Sequence, residues 1–214
     1  QRMRQVEGVM RKLAERHGAA FKPGNLIDYP YITFRDGDLE LRLSAALGGK
    51  NDPSHTELRL TLPDSAALDP ASCLYLRPVS HGLLPRMTIH RNAHPFLTGE
   101  REFDEVFDVR GLPEQLLKRT LTPDARHSLL ELQPYRPALK LARKRHLLPR
   151  LKSRRPFRLH FPPPTMQFSF YLAGLPPEIK DWEPRLQAGR MLVANLLDRP
   201  FTPGVVEQAA EAVE

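Results

Sequence analysis

Leu39, Leu41, Leu43 and Ala45 alternate with Glu40, Arg42 and Ser44, and Leu58, Leu60 and Leu62 alternate with Glu57, Arg59 and Thr61. A period of two puts each leucine series on one face of an extended chain, so both runs read as half-buried antiparallel strands. Asp36-Gly37 ahead of the first run is hairpin-type turn chemistry, and Tyr31 to Phe34 supplies its partner strand. Less regular strands are predicted at Cys73 to Arg77, Met87 to His90 and Phe103 to Val109. The connections are too short for helical crossovers, so these strands form an antiparallel sheet. Such a sheet needs cover on its dry face. Val6, Val9, Met10, Leu13 and His17 share one stripe of a helix over residues 3–17, stopped by Gly18, and that helix is available as cover.

The 22 prolines, about twice the usual share, argue against a long coiled coil or an all-helical bundle. Residues 112–119 read as a short helix, and Thr122-Pro123-Asp124 opens another with a capping oxygen, a proline in the first turn and an acid at the positive end. Pro134 stops it, and the most natural seam in the chain falls there. The expected fold is α+β: an antiparallel sheet with packed helices in residues 1–133, followed by a smaller α+β part in residues 134–214, or the two as one continuous domain. The second part reads as a basic helical segment from Leu139 to Leu148, strands at Phe157 to Phe161 and Phe168 to Leu172, and a helix capped by Asp181 and ended by Pro200. Thr202-Pro203 opens a last helix.

Charge is distributed unevenly. Between Arg136 and Arg158 stand Arg136, Lys140, Arg143, Lys144, Arg145, Arg150, Lys152, Arg154, Arg155 and Arg158, and no acid occurs between Glu131 and Glu178. The whole chain carries 32 Lys and Arg against 25 Asp and Glu, a formal charge of +7; without these ten cations, 22 would face 25. Local basicity of this kind focuses a field on a partner. Lys140, Arg143, Lys144, Arg145, Arg150, Lys152, Arg154 and Arg155 are therefore the candidate binding residues.

Catalytic signals are weak by comparison. His81, His90 and His94, with His55 upstream, are the nearest approach to a metal cluster, but Arg91 stands where a zinc-protease helix would carry its Glu. Asp104, Glu105 and Asp108 read as a salt-bridged solvated face, since Asp104 and Asp108 on one strand would lie about 13 Å apart. Ser54-His55 and Ser80-His81 form no triad by adjacency, and Gly48-Gly49-Lys50 lacks the rest of a phosphate loop. No cofactor fingerprint is present, and no metal or catalytic residue is assigned.

The expectation is thus a non-catalytic interaction module that presents a basic surface to an acidic protein or an anionic phospholipid membrane. A nucleic-acid-binding protein is the alternative, with an unrecognised hydrolase or metal-dependent enzyme using the His81, His90 and His94 region behind it. The five carboxylates of Glu100 to Asp108 offer the belt Arg136 to Arg158 an internal or self-association partner. The lone Cys73 excludes an internal disulfide and reads as a buried strand residue. With no apolar run near the ~20 residues that cross a bilayer, the expected location is the cytoplasm, at the membrane surface if lipid is the partner.

Overall fold

A computed structural model describes residues 2–25, 29–36, 39–46, 54–62, 68–69, 71–79, 93–144 and 165–200. Helix α1 (Arg2–Arg16) buries Val6, Met10, Leu13 and Ala14. Gly18, at φ +58°, ends it in the left-handed conformation that glycine adopts at least cost, and the Ala19 N–H closes back on the Ala14 carbonyl. Strands β1 (Ala20–Lys22), β2 (Tyr31–Asp36), β3 (Leu39–Ala46) and β4 (His55–Thr61) then form an antiparallel meander. Asp36 pairs with Leu39, the register that a two-residue hairpin connection requires.

After β5 (Cys73–Pro78) and the short β6 (His94–Phe96) comes the first departure from expectation. Residues 103–109 are not one strand: α2 (Arg101–Val106) runs directly into β7 (Phe107–Leu112). Phe103 and Phe107 suit either spacing, and both are buried with ring centroids 4.9 Å apart. The helix wins because the Asp104 carboxylate accepts from the Thr98 and Gly99 N–H groups and the Thr98 hydroxyl, which anchors its first turn. Helices α3 (Glu114–Thr120) and α4 (Pro123–Glu131) follow, and the Thr122 hydroxyl caps α4 by accepting from the Ala125 N–H, as its sequence indicates.

Strand β8 (Ala138–Lys144) is the second departure, because Leu139 to Leu148 reads in sequence as the start of a basic helix. Leu139 and Leu141, two apart, are both fully buried, which only an extended chain achieves on one face. Residues 145–148 and the strand at Phe157 to Phe161 lie outside the described residues, as do those at Met87 to His90, the loop from Gly48 to Pro53 and the helix after Thr202. Strand β9 (Thr165–Ala173) precedes α5 (Glu183–Leu196). Trp182 rather than Asp181 takes the N-cap position of α5, and Asp181 closes a 3-10 turn before it. The indole pins that corner, fully buried and donating to the Pro176 carbonyl at 3.1 Å.

The nine strands among the described residues join one antiparallel sheet in the order β1-β2-β3-β4-β9-β8-β5-β7-β6. Strands β8 and β9 are thus inserted between β4 and β5, and the segments before and after residue 133 share the sheet. The expected α+β fold, a large antiparallel sheet flanked by packed helices, is what forms. Register places Phe21, Ile32, Leu43, Leu58, Phe170, Leu139, Leu76, Val109 and Phe96 side by side, one apolar residue from every strand. The next row carries Phe34, Leu41, Leu60, Phe168, Leu141 and Leu74, and runs through Gly111 to His94 at the edge. Burying a leucine or phenylalanine contributes about 1.5–3 kcal/mol, so these rows are the main cohesive feature. Two close approaches show helices on this face: a Cβ at Gly189 of α5 would meet Leu58 Cδ2 at 2.3 Å, and one at Gly111 would meet Leu117 of α3 at 2.7 Å. Among the described residues no helix is long and apolar enough to cross a membrane.

Candidate anion-binding face of the sheet

Residues out of phase with the core rows point to the opposite face. One cross-strand row there reads Ala20, Thr33, Arg42, Arg59, Ser169, Lys140, Tyr75, Arg110 and Pro95. Four of its members are cations drawn from β3, β4, β8 and β7. With neighbouring strands about 4.8 Å apart, Arg42 and Arg110 stand about 24 Å from each other. In the adjoining positions Lys22, Tyr31, Ser44, Glu57 and Tyr171 form a second row, and Arg77 faces Asp108. These rows set Lys22, Arg42, Arg59, Lys140, Arg77 and Arg110 against the carboxylates of Glu57 and Asp108.

Arg42 and Arg59 are directly opposite each other, an arrangement that like charges disfavour. Each has a local compensation. Arg59 holds the buried Glu57 carboxylate through Nε and Nη2 at 2.7–3.0 Å, while the Arg42 guanidinium lies 3.5 Å from the centroid of the Tyr31 ring. Asp108 serves two cations, taking Arg77 at 2.8 Å and Arg110 at 3.1 Å. The Arg59, Arg77 and Arg110 side chains nevertheless remain 39%, 43% and 37% exposed. Such pairs orient the guanidinium groups without neutralising the face.

Between Lys140 and Arg110 the face turns apolar. Cys73, Tyr75 and Ala93 are buried together, with Leu112 and Ala142 against them. Burial pushes the Cys73 thiol pKa up, partly opposed by a hydrogen bond with the Leu112 backbone. A thiol held protonated and covered is a poor nucleophile. Ellman's reagent at pH 8 should therefore label the native protein at least about 100-fold more slowly than the guanidinium-unfolded chain. Labelling at comparable rates would contradict this placement of Cys73.

Of the residues singled out in sequence, Lys140 stands in the middle of the cationic row. Arg143 is exposed at the end of β8, on the strand phase of Leu139 and Leu141, and Lys144 pairs in register with Thr165. Arg145, Arg150, Lys152, Arg154 and Arg155 lie outside the described residues. The row's other cations, Arg42, Arg59 and Arg110, come from strands far apart in sequence. Their signal was an arginine on the polar phase of each strand, which by itself says nothing about which strands are neighbours.

The acidic stretch Glu100 to Asp108 finds partners close to home. Glu100 bonds to Arg126, whose hydrogen bond holds that carboxyl below the usual carboxylate range. Glu105 pairs with Arg101 at 2.7 Å, Asp104 accepts from Thr98 and Gly99 ahead of α2, and Asp108 holds Arg77 and Arg110. All these partners lie outside the belt from Arg136. Of the histidines, His55 is on β4 and His94 on β6, separated by five strand spacings (about 24 Å) across the sheet and by about 17 Å along the strands. His81 and His90 lie outside the described residues. Among the described residues no group of three or more His, Cys, Asp and Glu side chains could hold a metal ion.

No family model matches this chain, and no curated protein resembles it in sequence.

Proposed function

We propose that the protein is a non-catalytic interaction module whose polar sheet face, opposite the described helices, binds an acidic segment of a partner protein. The observation that carries this reading is the cross-strand row of Arg42, Arg59, Lys140 and Arg110. Its cations are mostly arginines, whose planar fork matches carboxylates two bonds at a time.

Two other anionic partners fit less well. Strands rotate by about 20–25° per step, so across five steps the row turns by about 100–125° and a flat bilayer meets only part of it. Nucleic-acid-binding sheets stack bases on open aromatic faces. Here Tyr75 is 4% exposed, and the Tyr31 ring is already approached by Arg42 and, at 5.4 Å, by Lys22. The reading puts the protein in the cytoplasm, where a lone thiol such as Cys73 stays reduced.

Four exposed ion pairs at up to ~1 kcal/mol each reach about millimolar affinity. The test uses a fluorescently labelled peptide of alternating Glu and Tyr, a labelled single-stranded oligonucleotide and vesicles of anionic phospholipid, each at ~50 mM salt. The peptide is expected to bind with a Kd of about 1 mM that weakens as salt rises. The Arg42→Ala/Arg59→Ala double variant should weaken it about 5- to 10-fold, or ~1–1.4 kcal/mol. Failure of the peptide to bind, or equal binding by the double variant, would overturn the proposal. Tighter capture of the oligonucleotide or the vesicles would do the same and name the better class.

A further inference from the structure

We propose a second, separate site: a cavity on the far side of β2 that takes a small organic anion with an apolar body. Strand β1 is only three residues long and pairs with β2 no further than Thr33. Beyond it, no described strand covers the outer edge of β2 at Phe34 and Arg35. The turn after α1, at His17 and Gly18, closes one side of this gap, and the C-terminal half of α5 with Arg199 closes another. The cleft has a volume of about 830 Å³ and is open on one side to solvent. Sites for cofactors and metabolites run from about 300 to 1,000 Å³. A bare inorganic ion would leave most of this space to water, and a folded domain would not enter.

The walls decide the ligand's chemistry. Phe34, Leu41 and Val193 give an apolar side; Arg35, Arg190 and Arg199 approach from the others. Partial cancellation is built in, because Arg35 faces Glu40 across the ladder and His17 meets Glu183 at 2.9 Å. Arg190 makes no ion pair with a described carboxylate, so an entering anion finds at least one guanidinium to receive it beside a surface that shields an apolar group. A carboxylate and a phosphate monoester both satisfy this arrangement.

The probe is anilinonaphthalene sulfonate, an aromatic anion whose fluorescence rises on leaving water, added to the full chain. Saturable binding is expected, displaced by decanoate or decyl phosphate but not by decanol or inorganic phosphate; the two displacing acids distinguish carboxylate from phosphate as the preferred head group. Arg190→Gln should bind the probe about tenfold more weakly. Ala194→Trp, which fills the cavity from α5, should abolish binding, and it keeps the question open to test if Arg190→Gln fails to fold. The Arg42→Ala/Arg59→Ala variant should bind normally, which separates this site from the sheet face. Undiminished binding by Arg190→Gln and Ala194→Trp would overturn the proposal, as would displacement by decanol or by inorganic phosphate as effective as that by decanoate.

Discussion

Gly111→Ala is expected to destabilise the fold by about 3 kcal/mol or more, although it adds a single methyl group. The added carbon would stand 2.3 Å from the Cys73 carbonyl oxygen and 3.1 Å from Leu74 Cα, both backbone atoms of the neighbouring strand. It would also lie 2.7 Å from Leu117 Cδ2 in the helix packed above. Relief requires the β5–β7 ladder to open or α3 to lift, and either disturbs Val109 and Leu116 in the core. Gly189 is an instructive contrast. Its nearest obstacle, at 2.3 Å, is the tip of the Leu58 side chain, which can rotate away, so Gly189→Ala should cost only about 1 kcal/mol. Urea denaturation followed by far-ultraviolet dichroism separates the two. A lower midpoint at constant slope is expected for both variants, with the larger change at Gly111. Equal and small losses would show that β5 and β7 pack less closely than described.

Trp182→Ala is the other large effect, with a loss of about 3–5 kcal/mol. The side chain is fully buried, and its removal leaves a cavity at the start of α5 while stripping the Pro176 carbonyl of its donor. Trp182→Phe separates the two contributions. It retains most of the apolar surface and should lose about 1–2 kcal/mol, chiefly the hydrogen bond. Since the chain has one tryptophan, unfolding has to be followed by dichroism instead of indole fluorescence. A loss below about 1 kcal/mol for Trp182→Ala would mean that this corner is not a keystone of the helical layer.

The parts of this structure legible from sequence are those that local chemistry decides. Leucine alternation in β3 and β4, the stripe of α1 and the Thr122 cap each follow from residues only a few positions apart. Two misreadings share a physical origin. Phe103 and Phe107 fit both helical and extended spacing, and the apolar residues around Lys140 do the same, so only tertiary neighbours could arbitrate. The cationic row was hidden for a different reason. Its members are about equally spaced in the sheet but come from residues 42, 59, 110 and 140, and no pattern in the chain announces that order. The compact basic run gave one member, Lys140, of a site built largely from arginines elsewhere.

Placing β8 and β9 between β4 and β5 has a consequence for how the chain is made. During synthesis β4 can pair with β3 and β5 with β7, yet each lacks its second permanent neighbour until residues 138–173 have left the ribosome. Until then the half-built β-structure exposes two bare margins, able to template pairing with another nascent chain. Ladders that join such distant segments close slowly. The protein therefore depends on residues 138–173 arriving before the strands already made find something else to bind, and holdase chaperones should be most needed in that interval.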